Sequence, residues 1–243
     1  MPRWYLTLMI CTGWLTACSD PPSAPDSTPD GDVDSDFDSH AGDGDADVDA
    51  DPDADSDGDH DFDDDLDGDF GCPGHPEMSL VRALGICIDR YEASEGPGGQ
   101  ARSVPEVLPW AFVSWETAGG ACAAAGKRLC TPEEWQAACR GPEDNRFPYG
   151  PYYDEWICNG QDRQEGRVLP TGSLPDCEGG YPGVYDMSAN LWEWVDHCTG
   201  DTCQAKGGSF YDIFGTLLHC DSLRERSGTE EVANVGFRCC LDF

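Results

Sequence analysis

The chain has 243 residues, and its 48 Asp and Glu against 14 Lys and Arg give a formal net charge of -34. Such a chain repels phosphate backbones and anionic lipid surfaces, which excludes nucleic acid as a partner. Of the acidic residues, 22 are aspartates between Ser19 and Gly71, a stretch without Glu, Lys or Arg. Residues 72–243 keep 26 acidic and 13 basic side chains and are long enough for one folded domain.

The first seventeen residues have the pattern of an export signal. Arg3 precedes an apolar stretch, Trp4 to Trp14, that is too short to span a bilayer. The junction Leu15 to Cys18 resembles the lipobox of bacterial lipoproteins, whose cysteine is lipidated and becomes the mature N-terminus. We therefore expect a signal peptide at 1–17, a lipid anchor on Cys18, and a place in the bacterial cell envelope, at the outer membrane or cell surface. Ordinary cleavage that leaves Cys18 free is the alternative.

Residues 18–71 have the composition of a linker. From Asp30 to Asp69, aspartate alternates with mostly small residues, and so little apolar surface cannot offset the entropy of folding. We expect a disordered spacer between anchor and domain. Asp53 to Gly58, with Asp64 eleven positions after Asp53, copies the ligand spacing of an EF-hand loop, but the flanking helices are missing. Weak cation binding along the whole tract is the alternative.

Twelve cysteines lie beyond the linker, at positions 72, 87, 122, 130, 139, 158, 177, 198, 203, 220, 239 and 240. An even number in an exported, Gly-rich chain favours disulfides, and no two cysteines have the CxxC spacing of a zinc site. The segment from Cys198 to Cys203 predicts one local bridge, because Gly200 and Asp201 favour a tight turn. Spacing leaves the other pairings open.

Two helices have clear start signals. Ser114 can cap a helix to Ala125 that ends at Gly126, and Thr131-Pro-Glu-Glu134 is a capping box for a helix that ends at Gly141. The strand-like runs are short, such as Gly85 to Tyr91 and Val235 to Cys240, and Gly and Pro interrupt the rest. The sequence predicts an irregular α+β domain.

Eight motifs carry a resemblance to a known family: Ile88-Asp-Arg-Tyr-Glu92, Val113-Ser-Trp115, Ala125-Gly-Lys-Arg-Leu129, Thr131-Pro-Glu-Glu-Trp135, Phe147-Pro-Tyr-Gly150, Asp186-Met-Ser-Ala-Asn-Leu-Trp-Glu-Trp194, Gly207-Gly-Ser209 and Gly236-Phe-Arg-Cys239. Their order resembles that of the formylglycine-generating enzyme family, also called the sulfatase-modifying factor domain, over residues 85–240. The resemblance implies a single domain at 72–243 with a variant of the C-type-lectin-like fold.

Enzymes of that family use Cu(I), held by two cysteine thiolates, and O₂ to convert a cysteine of a sulfatase's Cys-x-Pro-x-Arg segment into formylglycine. In this chain the two cysteine positions fall on Asp212 and Leu217. A carboxylate is a poor ligand for Cu(I), which argues against copper. The resemblance therefore implies a non-catalytic module that binds a protein or glycan ligand. The alternative is a formylglycine-generating oxidase that holds copper in another way, for example through Cys220 and Cys240.

The resemblance also implies disulfides. In the family the cysteine after Gly-Phe-Arg pairs with that of the first helix, here Cys239 with Cys122, and the second helix cysteine pairs with the one before an Arg-rich stretch, here Cys139 with Cys220. For the remainder we expect the pairs Cys130–Cys240, Cys72–Cys87 and Cys158–Cys177.

A calcium site and a substrate cleft are implied in the same way. The family's calcium segment corresponds to Asp186 and Glu193 with the backbone carbonyls of Ala189 and Leu191, and oxygen ligands suit this ion. A packed aromatic turn is the alternative. A second calcium segment begins near Asn159, although its downstream aspartate is missing here. Ser209 and one of the two tryptophans of Trp192-Glu-Trp194, taken as Trp192, would line the substrate cleft.

Overall fold

The computed structural model describes residues 71–213 and 215–243. The predicted signal peptide, the predicted lipidation site Cys18 and the predicted linker with its EF-hand-like spacing lie outside these residues, apart from Gly71. Within the described part, two α-helices and thirteen short strands form a mixed α+β structure, which confirms the predicted fold class. No helix in this part is long and apolar enough to cross a membrane.

The strands form two larger sheets and two hairpins. The five-stranded sheet has the order β1-β2-β3-β13-β6 and the four-stranded sheet the order β11-β10-β9-β12, while β4 pairs with β5 and β7 with β8. All described pairings are antiparallel except that of β9 with β12. The strands are β1 (Gly71–Cys72), β2 (His75–Val81), β3 (Ile86–Asp89), β4 (Ala93–Glu95), β5 (Ala101–Ser103), β6 (Arg128–Leu129), β7 (Glu178–Gly179), β8 (Tyr181–Tyr185), β9 (Trp192–Thr199), β10 (Thr202–Lys206), β11 (Leu223–Ser227), β12 (Val235–Phe237) and β13 (Cys239–Asp242).

Both predicted helices are present. Helix α1 spans Trp115–Ala124, and the Ser114 side chain accepts a hydrogen bond from the backbone N–H of Thr117. Helix α2 spans Pro132–Arg140 and begins with the complete capping box of Thr131 and Glu134. The helix boundaries agree with the sequence-based expectation because each cap acts within one turn.

The two strand-like runs behave differently. β3 occupies most of the first run, whereas the second is divided at the buried Arg238 between β12 and β13, which belong to different sheets. Most of the other strands have five residues or fewer, too few for an alternating pattern to be recognised. The structure therefore has more sheet than the sequence suggested.

Six disulfides join the elements, namely Cys72–Cys87, Cys122–Cys239, Cys130–Cys240, Cys139–Cys220, Cys158–Cys177 and Cys198–Cys203. These are the six pairs given above. Every cysteine from 72 to 240 is thus oxidised, which is typical of an exported protein. Two of the bridges tie α1 to β13 and α2 to the loop that precedes β11.

Candidate functional site

Asp212 is a hydrogen-bond acceptor at the centre of the candidate site. It is buried, and its Oδ2 accepts hydrogen bonds from Trp192 Nε1 at 2.8 Å and from Ser209 Oγ at 2.7 Å. Arg224 Nη2 donates to Oδ1 at 3.3 Å, and the same guanidinium lies 4.9 Å from the centre of the Trp192 ring. Asn234 Nδ2 donates to Ser209 Oγ at 3.1 Å. The carboxylate therefore holds three neighbouring side chains in one arrangement.

Asp212 stands where the resemblance places the first copper cysteine. The second position, Leu217, is half-buried and packs against the core cluster that contains Trp192. Cys220, the nearest cysteine along the chain, is bonded to Cys139. No cysteine in the described part of the chain is left as a thiol that could bind a soft metal.

The structure corrects the expected position of Trp192 and Ser209. Both are fully buried, at 0% exposure, and neither lines an open cleft. Trp192 and Trp194 are two residues apart on β9, so they share one face of the strand, and both belong to the same core cluster. Trp192 therefore belongs to the core and not to the lining of an open cleft.

An open groove nevertheless adjoins Asp212. Phe210 and Tyr211, which connect Ser209 to Asp212, contribute to its lining. The groove encloses about 850 Å³ and is mostly apolar. Its other lining residues are Ser94, Glu95, Arg102, Val104, Val107, Leu108, Pro109, Trp110, Ala111, Phe112, Gly166, Arg167, Val168 and Ala233.

The predicted calcium segment precedes β9 as a strained, well-anchored loop. Asp186, Ala189 and Asn190 have φ values of 61°, 69° and 53°, in the left-handed region that side chains other than glycine rarely adopt. The Ala189 N–H donates to the Gly207 carbonyl, and the Asn190 N–H to the Asn159 carbonyl. The surrounding structure thus holds conformations that cost of order 1 kcal/mol each, a property common at ligand sites.

Glu193, the last predicted calcium ligand, is bound on both oxygens. Arg238 Nη2 donates to Oε1 at 2.6 Å and Nε donates to Oε2 at 2.7 Å, while Trp135 Nε1 donates to Oε2 at 2.7 Å. All three side chains are fully buried. Oε2 thus accepts two hydrogen bonds and Oε1 one, which leaves one lone pair of Oε1 unused.

Two further carboxylates are buried beside this ion pair. Burial, together with the negative charges of Asp186 and Glu193, raises the pKa of Glu92 well above its usual value. Burial also raises the pKa of Asp186 to about 6, against the opposing effect of a hydrogen bond from the Gly172 N–H. With all three carboxylates ionised, Arg238 neutralises only one, and the interior carries two surplus negative charges.

The oxygen atoms of this segment are of the kind that a hard divalent cation prefers. Asp186 and Glu193 would provide carboxylate oxygens, and the carbonyl oxygens of Ala189 and Leu191 accept no hydrogen bond from the described residues. A single Ca²⁺ would balance the two surplus charges. No group of three or more His, Cys, Asp or Glu side chains in the described residues is arranged around one metal position, so the backbone carbonyls are essential to this set.

Asn159 presents an independent acceptor. Its Nδ2 donates to the carbonyl of Arg167 at 2.9 Å and to Asn190 Oδ1 at 2.8 Å. Its Oδ1 is buried without a hydrogen-bond partner in the described residues. A buried acceptor left unpaired costs about 1–3 kcal/mol, and a cation or a water molecule at this oxygen would remove that cost. At the start of the expected second calcium segment there is thus one buried oxygen without a partner, of a type that calcium accepts.

Several residues of the site were not singled out from the sequence. Glu92 and Arg238 lie inside the motifs given above. What marks them as site residues is that their charged side chains are buried, and a motif does not show burial. No motif covers the groove residues: Arg102 lies on β5, and Phe112 and Arg167 lie in loops. That these residues line one cavity is visible only in the folded structure, where distant segments of the chain come together.

The fold and site define a disulfide-stapled, C-type-lectin-like α+β domain. A sequence profile of the sulfatase-modifying factor enzyme 1-like domain matches residues 80–243, so the chain belongs to that family. Formylglycine-generating enzyme of Bos taurus is 31% identical over 182 residues, which cover 61% of this chain and 47% of the relative. A Mus musculus protein named inactive C-alpha-formylglycine-generating enzyme 2 is 34% identical over 163 residues, covering 59% of this chain and 52% of the relative.

Among solved structures, Treponema denticola variable protein 1 has the same fold, with a TM-score of 0.54 at 14% sequence identity. The match covers 69% of this chain and 91% of that structure. The chain spans about half the length of the two curated relatives. These comparisons confirm the family and the fold.

Proposed function

We propose that this protein is a non-catalytic member of the sulfatase-modifying factor family that acts as a binding module. The observation that carries the proposal is Asp212, which occupies the first copper-cysteine position and is bound by Trp192, Ser209 and Arg224. Replacing a soft thiolate by a hydrogen-bonded carboxylate removes the ligand that Cu(I) needs.

The groove next to Asp212 supports a binding role. Its volume is in the range typical of ligand pockets, and exposed apolar side chains form much of its wall. A rigid, disulfide-linked scaffold that displays loops is suited to recognition, because fixed loops lose little entropy on binding. We propose a protein or glycan as the ligand, bound in this groove.

The cellular setting is part of the same proposal. Lipidation of Cys18 would anchor the protein to the cell envelope, and the Asp-rich linker would hold the domain away from the membrane. Calcium at Asp186 and Glu193 would neutralise the buried carboxylates and fix the loop beside Asn190. Multiple disulfides and the export-type N-terminal sequence support this setting.

The decisive experiment measures thiols and product. One sample of the full-length protein is denatured and its thiols are titrated with a thiol reagent. A second, native sample is incubated with Cu(I), O₂ and a Cys-x-Pro-x-Arg peptide, and the peptide is then examined by mass spectrometry. We expect no thiol other than those of Cys11 and an unlipidated Cys18, where these residues are retained, and no aldehyde. A double variant, Asp212→Cys with Leu217→Cys, is the matched test of whether the scaffold can regain Cu(I) binding. Two free thiols in the unmodified domain together with formylglycine would instead identify an oxidase.

A further inference from the structure

The charge of the groove is opposite to that of the domain around it. Residues 72–243 have twice as many acidic as basic side chains. The groove lining contains two arginines, Arg102 and Arg167, and one carboxylate, Glu95. A local excess of positive charge on an otherwise negative surface makes the electrostatic potential in the groove favourable for an anionic ligand.

The two arginines are available to a ligand. Within the described part of the chain, the guanidinium groups of Arg102 and Arg167 form no ion pair or hydrogen bond. Arg128, Arg140 and Arg226, by contrast, each hold a carboxylate of the domain. Arg102 and Arg167 are therefore cations without a carboxylate partner, and both line the apolar groove. Three other basic residues of the described part also form no ion pair, but they lie outside the groove: Arg90, Arg146 and Lys206.

The apolar wall is held in place before any ligand arrives. Leu108 and Phe112 are 64% and 63% exposed, yet the backbone around them is anchored. The Trp110 N–H donates to the Ala93 carbonyl at 2.7 Å, and the Phe112 N–H donates to the Val232 carbonyl at 3.1 Å. Phe112 has a φ of 56°, a strained conformation for an aromatic residue that projects into solvent. Such a fixed and exposed apolar surface suits an apolar side chain of a partner.

We propose that the groove binds an acidic peptide segment of a partner protein, in which apolar side chains alternate with Asp or Glu. The apolar side chains pack against Leu108, Phe112 and Tyr211, and the carboxylates pair with Arg102 and Arg167. Arginine forms two parallel hydrogen bonds with a carboxylate, which fixes the orientation of the segment. The same charges disfavour the arginine of a Cys-x-Pro-x-Arg segment. This inference rests on the proposed binding role and names its ligand class.

The test uses fluorescence anisotropy of the full-length protein with labelled synthetic peptides. The first peptide alternates Asp with Phe and Leu; a second carries Lys in place of Asp, and a third carries Ala in place of Phe and Leu. We expect the first peptide to bind and the other two to bind at least tenfold more weakly. Raising the salt concentration weakens the first complex because exposed ion pairs are screened.

Charge reversal locates the site. Arg102→Glu with Arg167→Glu is expected to weaken binding of the first peptide roughly tenfold or more, and Arg102→Lys with Arg167→Lys to retain most of it. Arg82→Glu with Arg146→Glu changes the net charge equally at exposed positions outside the groove and should have little effect. Phe112→Ser tests the apolar contact in the same assay.

The result that overturns the inference is tight binding of the Lys peptide, an unchanged affinity after reversal of Arg102 and Arg167, or no binding of the Asp peptide. Each of these leaves the proposed non-catalytic role to be judged separately, by the thiol count and the search for formylglycine. Formation of formylglycine would reject the non-catalytic role whatever the peptide affinities.

Discussion

Replacing Asp212 by alanine tests the proposed role of this residue most directly. The change leaves Trp192 Nε1 and Ser209 Oγ without their acceptor in a buried position and removes the partner of Arg224. Each buried donor that loses a hydrogen bond to a charged group costs about 1.5–3 kcal/mol. Because Asn234 still donates to Ser209, and because neighbouring losses are not additive, we expect a total of about 3 kcal/mol.

The assay is thermal and urea unfolding of the oxidised protein, followed by tryptophan fluorescence. A loss of about 3 kcal/mol corresponds to a decrease in Tm of roughly 6–12 °C for a domain of this size. Asp212→Asn keeps the shape and one acceptor oxygen and should lose about half as much. A decrease below about 0.5 kcal/mol for Asp212→Ala, typical of an exposed surface change, would refute the view that Asp212 organises the site.

Three other predictions concern the whole domain. Calcium added to chelator-treated protein at a hundred times its Kd should raise Tm by roughly 5–10 °C. Asp186→Ala should abolish this rise in Tm, and Asp186→Asn should keep it. An equal rise in the unmodified protein and in both variants would exclude this site. Burial raises the pKa of Glu134, but hydrogen bonds from Arg128 and from the Thr131 N–H outweigh it and lower the pKa below 4.5. The stability that Glu134 contributes is therefore complete above pH 4.5 and is lost as the pH falls through its folded pKa; comparison with Glu134→Gln in acid titrations should show this slope, and parallel curves would contradict it. Replacing Cys139 and Cys220 by serine opens a loop of 81 residues and should lower the free energy of unfolding in urea by about 4 kcal/mol. Replacing Cys198 and Cys203, which close a loop of five residues between β9 and β10, should lower it by about 2 kcal/mol. Equal losses would contradict this estimate, which is based on the entropy of the unfolded chain.

Short-range features could be predicted well. The caps at Ser114 and Thr131 fix the helix starts because their hydrogen bonds span only three residues. The disulfides followed from a combination of local spacing and family resemblance, since twelve cysteines alone allow many pairings. The residues at the two positions that the resemblance gives to copper cysteines, Asp212 and Leu217, could also be identified, because the Gly207-Gly-Ser209 motif provides a fixed point from which positions can be counted.

Long-range features could not be predicted. Nothing near Trp192 indicates that Asp212, twenty residues later, would accept its indole N–H, or that Ser209 would be fully buried. Glu193 on β9 pairs with Arg238, which directly follows β12 and lies 45 residues away in the chain. Such contacts depend on which strands become neighbours, and strands of two to five residues carry too little pattern to specify that.

The order of residues alone thus defined the family, the helix ends and the residue types at the positions where the resemblance places the copper cysteines, because these depend on residue identity and on neighbours within a turn or a motif. Packing of the folded chain defined the buried carboxylates around Arg238 and the groove between Arg102, Phe112 and Arg167. Burial, and the charge that it leaves unneutralised, arise only when segments far apart in the chain exclude water from one another.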